Sequence, residues 1–180
     1  MNGLKGVFIE SIIKNQMIVL INQKDEEIGI EEKIKTHIDG KLHRAFSVLV
    51  FNSKGELLIQ QRAKSKYHSQ GLWSNTICSH PRPKRNIIKE IHKRLKEEMG
   101  FVCPVKKLFV FHYKKKFENG LIENELDHVF IGKYDGKVFP NPKEALDYKW
   151  VAIKGLKVDI QKNPEKYTYW FKIIIRKLDK

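Results

Sequence analysis

The chain has 180 residues and a mass of 21.2 kDa, with 35 Lys+Arg against 21 Asp+Glu and a formal net charge of +14. A chain of this size can bury enough apolar surface to fold without covalent or metal staples, and two cysteines in unlike contexts exclude a disulfide framework. The positive excess points to anionic partners, namely nucleic acid, a membrane surface or a small phosphorylated substrate, but the lysines come with no zinc-finger, RNP or helix-turn-helix pattern and no membrane-length apolar stretch.

Along the chain, the first 25 residues mix apolar runs with Lys5, Glu10, Lys14 and Asp25, so no secretory signal is expected and a cytoplasmic, reducing location is. Met17 to Asn22 reads as a short strand ended by Gln23-Lys24-Asp25. Arg44 to Phe51 and Glu56 to Gln61 flank the turn Asn52-Ser53-Lys54-Gly55 and read as a hairpin. From Asn86, a natural N-cap, the apolar residues Ile87, Ile88, Ile91, Leu95 and Met99 recur at helical intervals until Gly100 supplies a stop. Lys106 to Lys116 and Leu121 to Lys133 read as strands around Glu118-Asn119-Gly120, and Tyr148 to Ile153 as a further strand. Tyr167 to Leu178, following Pro164, closes the chain as a helix with an aromatic-rich first half. No repeat, low-complexity tract or linker divides the sequence, so the expectation is one α+β domain over residues 1–180.

Chemistry concentrates in two segments. Cys78 lies in Thr76-Ile77-Cys78-Ser79-His80-Pro81, where a thiol and an imidazole stand two residues apart, a pairing suited to proton transfer. Glu123 and Glu125 are two apart in a strand and therefore project from the same face, while Asn124 must face the other way. Paired carboxylates suit a metal, and His37, His43 and His80 are the candidate nitrogen co-ligands for zinc, manganese or iron(II). Glu97-Glu98 falls in the last turn of the long helix, where acidic groups oppose the helix dipole, and a divalent cation on Glu98 gives that placement a reason. Each feature also has a plainer reading: solvated strand glutamates, an ordinary i to i+4 pair between Arg94 and Glu98, and a packed aromatic cluster at Tyr169-Trp170-Phe171.

Five separated segments, taken together, resemble the type I isopentenyl-diphosphate isomerase family. They are His43-Arg44-Ala45-Phe46-Ser47, Phe51-Asn52-Ser53-Lys54-Gly55, Gln61-Arg62-Ala63-Lys64-Ser65-Lys66, Gly71-Leu72-Trp73-Ser74-Asn75-Thr76-Ile77-Cys78-Ser79-His80-Pro81 and Glu123-Asn124-Glu125. The resemblance runs from about Met17 to the last helix and leaves Met1 to Gln16 as an N-terminal extension of unknown role. It implies a Nudix-like fold, a mixed β-sheet sandwiched between helices. It also implies interconversion of isopentenyl and dimethylallyl diphosphate, with Cys78, Glu125 and Tyr113 as catalytic residues. Lys33, Arg62, Lys66, Arg94 and Trp170 match the substrate contacts. His37, His43, His80, Glu123 and Glu125 match a metal site for one Mn²⁺, Zn²⁺ or Mg²⁺, and Glu98 matches a Mg²⁺ site shared with the substrate diphosphate.

The Nudix box, Gly-x5-Glu-x7-Arg-Glu-U-x-Glu-Glu-x-Gly-U, survives in part. Leu95, Glu97, Glu98, Gly100 and Phe101 match, whereas Ser79, Arg85 and Lys93-Arg94 replace its first glycine, first glutamate and Arg-Glu pair. Arginine in place of a carboxylate removes a metal ligand and adds a repelling charge, which weighs against hydrolysis of nucleoside diphosphates. A non-catalytic basic module binding nucleic acid is the third possibility. The favoured expectation is an enzyme with a small diphosphate substrate, no nucleic-acid or membrane partner, and a monomeric or weakly dimeric state. Cys103 has no matching role and is expected to pack in the core.

Overall fold

A computed structural model describes residues 16–178, so the N-terminal extension falls, apart from Gln16, outside the described residues. The elements in order are β1 (Met17–Ile21), β2 (Glu27–Glu32), α1 (Lys33–Asp39), β3 (His43–Phe51), β4 (Glu56–Arg62), β5 (Trp73–Ser74), β6 (Ile77–Ser79), α2 (Ile87–Met99), β7 (Val105–Lys116), β8 (Ile122–Lys133), β9 (Ala145–Ala152), α3 (Ile153–Lys162) and α4 (Tyr169–Lys177). The result is α+β, as expected, with β3 as the hub of a mixed sheet. Along one edge β3 runs parallel to β8 from the pair His43 and Glu125 to the pair Phe51 and Lys133. Along the other it meets β1 at His43, β6 at Phe46 to Val48 and β4 at Phe51, all antiparallel. The remaining pairings are β1 with β2, β7 with β8, and β4 with both β5 and β9.

Period-two alternation gives this sheet two apolar faces. On one, Phe46, Val48, Val50, Leu58 and Phe130 pack against Ile91, Leu95 and Met99 of α2, with Cys103 buried beside them. On the other, Leu49, Leu57, Ile59 and Val129 pack against Trp170, Phe171, Ile174 and Ile175 of α4. Helices therefore cover both sides of the sheet. The second face changes character along β3: His43, Ala45 and Ser47 precede Leu49 on it, and of these Ala45 and Ser47 border a cavity rather than α4. That change of side-chain type is what opens the site.

The long helix matches its sequence signals. The Asn86 side chain accepts from the backbone N–H of Ile88 and Lys89, and Gly100 ends the helix in the left-handed region with φ of 80°. The strand expected at Tyr148 to Ile153 begins earlier, at Ala145, and yields to α3 at Ile153. Helix α1 is an addition to the expected elements. The Glu32 carboxylate caps its first turn through Lys35 N–H, and Gly40 with φ of 63° ends it after seven residues. Only Ile34 and Ile38 are apolar in that stretch, too few to signal a helical face. Among the described residues no helix is long and apolar enough to cross a membrane.

Candidate active site

A cavity of about 570 Å³ opens on the α4 side of the sheet, lined by Cys78, Glu125, Tyr113, Trp170, Arg62 and Lys66 among others. Strands β6 and β8 flank β3 on opposite edges, and each contributes one of the two reactive candidates. Cys78 is opposite Ser47 and Glu125 is opposite His43. The motif around Cys78 explains itself as packing. Thr76 Oγ donates to Leu58 O at 2.7 Å and accepts from Val50 N at 2.9 Å, which ties β6 to two strands. Asn75 Oδ1 accepts the Trp170 indole N–H at 3.1 Å, so the same turn fixes the C-terminal aromatic over the cavity.

Four of the expected metal ligands converge. His37 on α1, His43 on β3, His80 just after β6 and Glu125 on β8 have ligand atoms within 4.8 Å of one another, and all are buried. His37 Nδ1 is 2.7 Å from Lys33 O and His43 Nδ1 is 2.8 Å from Lys41 O. A carbonyl only accepts, so each Nδ1 carries the hydrogen and each Nε2 presents a lone pair inward. Around Glu125 Oε1 the Nε2 atoms of His37, His43 and His80 stand at 3.9, 3.3 and 2.9 Å. Lone pairs of two imidazoles thus face a carboxylate oxygen, and His37 Nε2 has no hydrogen-bond partner although it is buried. Burial, with repulsion from His80 and His43, pushes His37 down to about 2, and burial pushes His80 down to about 4. Neutral imidazoles aimed at an anion fit a divalent metal ion, which would satisfy all four groups.

Glu123 lies beside this group rather than within the four. Its Oε1 is 3.0 Å from His68 Nε2, and its Oε2 accepts from Tyr113 Oη at 3.0 Å. Tyr113 Oη also stands 2.7 Å from Glu125 Oε2, so one buried phenol bridges both carboxylates. The pair divides its charge: burial and the Glu125 carboxylate push Glu123 well up, whereas His80 and His43 outweigh burial at Glu125 and hold it well down. Asn124 faces the opposite side, as the alternation requires, donating to Gly40 O at 3.0 Å.

On the thiol side, Arg62 Nη1 donates to Cys78 Sγ at 3.6 Å, while its other nitrogens donate to Ser69 O and His68 O at 3.2 Å. The guanidinium also lies 5.2 Å from the centre of the Trp170 ring. Burial pushes the Cys78 thiol up to about 12 against the pull of Arg62, so sulfur holds its proton at neutral pH. Lys33 Nζ is 3.3 Å from Gln16 Oε1 and 4.7 Å from the Tyr67 ring centre, and burial with repulsion from Lys66, Arg94 and Arg62 pushes it down to about 8. Arg62 ends β4, and Lys66 lies in the loop beyond, paired with Glu144. Arg94 reaches Glu98 at 2.8 Å, Glu97 at 3.1 Å and Glu144 at 3.3 Å. Glu98 itself is buried, with Gln60 Nε2 donating to its second oxygen at 3.0 Å.

Sequence reasoning passes over several lining residues. Asp127 continues the run of Glu123 and Glu125 by one more strand period, and that spacing was the available signal. Its Oδ2 accepts from Ser47 Oγ at 2.8 Å while Oδ1, also buried, has no partner. His68 lies two residues beyond the quoted Gln61 to Lys66 segment and stacks on Phe117 with ring centres 4.6 Å apart. Glu144 and Lys143 come from a loop with no periodicity to mark them.

Residues 41–171 match the NUDIX domain family, and the fold agrees: a protein from Deinococcus radiodurans, DR0079, superposes with a TM-score of 0.75 over 90% of this chain and 98% of its own at 16% identity. A MutT protein from Methanosarcina mazei Go1 gives 0.61 over 77% and 93%, also at 16% identity, which is a likeness of fold alone. The cavity and its chain of histidines and carboxylates thus belong to a NUDIX protein. Within that class, a 48% identical relative from Aromatoleum aromaticum, covering 88% of this chain and 89% of its own, is named isopentenyl-diphosphate Delta-isomerase 1. A 48% identical relative from Photorhabdus laumondii, over 91% and 93%, and a 43% identical one from Burkholderia multivorans, over 90% and 92%, carry the same enzyme name. The chain belongs to the isopentenyl-diphosphate Delta-isomerase family.

Proposed function

We infer that the protein is an enzyme that interconverts isopentenyl diphosphate and dimethylallyl diphosphate. The reaction moves a terminal double bond inward: a proton adds to the alkene CH₂, a tertiary carbocation develops, and a proton leaves the methylene beside it. A simple alkene is a poor base, so the site must hold a positioned acid and keep water from the cation. The observation that carries the reading is one cavity lined by both Cys78 and Glu125, supplied from opposite flanks of β3. In this reading the two exchange protons with the five-carbon chain from its two faces, and Tyr113 assists at Glu125 through its 2.7 Å hydrogen bond. The Trp170 ring face, already beside the Arg62 guanidinium, offers its quadrupole to the developing cation, worth about 2 kcal/mol when desolvated.

His37, His43, His80 and Glu125 would hold one divalent ion, with Glu123 adjoining; bound there, it would fix the direction and acidity of the Glu125 carboxyl. Three nitrogens favour Mn²⁺ or Zn²⁺ over Mg²⁺, which prefers oxygen. Glu98 is the residue proposed for a Mg²⁺ shared with the diphosphate, and Lys33, Arg62, Lys66 and Arg94 are the proposed cationic contacts. We further read the chain as one domain, cytoplasmic, and monomeric or weakly dimeric. Two free cysteines suit that compartment. The test is proton NMR of the protein in D₂O with isopentenyl diphosphate and Mg²⁺. Formation of dimethylallyl diphosphate with deuterium incorporation is expected, and absence of label would overturn the assignment.

A further inference from the structure

The cations assigned to the diphosphate already hold a carboxylate. Glu144 Oε2 contacts Lys66 Nζ and lies 3.3 Å from Arg94 Nη2, and all three residues line the cavity. Its placement is built into the backbone: Ala63 N donates to Glu144 O at 3.0 Å, and Asn141 N donates to Glu98 O at 2.8 Å. The loop before β9 is thereby tied both to the Arg62 to Lys66 segment and to the end of α2. The Glu144 side chain is about one-fifth exposed, so its charge is only partly screened by water.

This arrangement has a consequence for an incoming anion. Lys66 and Arg94 repel each other, and Glu144 is the counter-charge they share, Arg94 being held by Glu97 and Glu98 as well. A diphosphate that reaches the same two cations meets the Glu144 carboxylate as a like charge. A divalent cation bound together with the diphosphate would offset that repulsion. Resting on the diphosphate reading above, we propose that Glu144 makes diphosphate binding conditional on a divalent cation, acting as a specificity determinant that rejects the metal-free anion.

The test is calorimetric titration of the full chain with inorganic pyrophosphate, in chelator and in Mg²⁺, for wild type, Glu144→Gln and Glu144→Asp. Wild type should bind at least about tenfold more tightly with Mg²⁺, the scale of one like-charge contact screened by water. Glu144→Gln should raise the metal-free affinity about tenfold and shrink the Mg²⁺ advantage by the same factor. Glu144→Asp, which keeps the charge, should retain the wild-type ratio. Equal affinities for wild type and Glu144→Gln in both conditions, or an equal loss in both, overturn the proposal and leave the diphosphate reading standing. Failure of wild type to bind pyrophosphate in either condition overturns the diphosphate reading and this inference with it.

Discussion

Burial around Cys78 keeps a hydrogen on sulfur, and the Arg62 guanidinium donates to it from 3.6 Å away. A thiol held in that state is an acid that needs a substrate, not a base waiting for one. Cys78→Ala should therefore lower turnover by about 10²–10⁴-fold, the range for a lost general acid, without moving the melting temperature by more than a few degrees. Loss of activity accompanied by unfolding would instead make the cysteine a packing residue. Tyr113→Phe removes the one hydroxyl that bridges Glu123 and Glu125, leaving two buried carboxylates face to face. Its kcat should fall at least about tenfold with KM little changed, since a charge-assisted hydrogen bond is worth roughly 1.5–3 kcal/mol. Steady-state rates separate the two constants. At this scale, what was legible in the sequence is what periodicity or adjacency marks. Glu123 and Glu125 declare a shared face by their spacing, and Cys78 stands beside His80. Asp127 obeys the same period but is separated from the Glu-Asn-Glu block by a leucine, and His68 acquires meaning only when β8 brings Glu123 to it. Glu144 meets Lys66 across 78 residues, a distance no local pattern spans.

The elements were readable in proportion to how many local signals agreed. Helix α2 had a cap, a periodic apolar stripe and a glycine stop, and it runs as those signals dictate. Strands β5 and β6 have two and three residues, too short for alternation to register, and they are held by Thr76 and Asn75 bonds to distant strands. Helix α3 buries only Leu156 and lacks a side-chain cap, so β9 and tertiary context define it more than its own sequence does. The glycine stop of α2 also has a positional role, because it fixes the turn that follows Glu98. At Gly100 a Cβ would meet Phe139 O at 2.7 Å, at a φ of 80° that favours glycine. Gly100→Ala should cost about 2 kcal/mol or more, lowering the melting temperature by roughly 4–8 °C. Thermal denaturation checks it, and an unchanged transition would mean the Phe139 segment shifts freely.

At the scale of the whole molecule, a net charge of +14 is spread over a surface on which most lysines are solvated, yet Lys33, Arg62, Lys66, Arg94 and Lys143 gather at one cavity. Charge at large therefore says little, and charge at the cavity says where an anion goes. The histidine cluster has an equally global meaning. Its members come from α1, β3, the segment after β6, and β8, four elements spread along the chain from His37 to Glu125. An ion bound there would staple four elements at once, and an ion that binds only the folded chain stabilises it by mass action, about 2.7 kcal/mol at a hundredfold excess over Kd. Chelation should accordingly lower the melting temperature by roughly 5–10 °C at that stabilisation. Addition of Mn²⁺ or Zn²⁺ should restore it. His37→Ala should lie near the chelated value and respond weakly to either ion, because it removes the ligand whose Nε2 is buried without a partner. If wild type melts at one temperature with chelator and with added metal alike, the lone pairs around Glu125 are being satisfied by protons, and the four residues are a hydrogen-bonded network rather than a metal site.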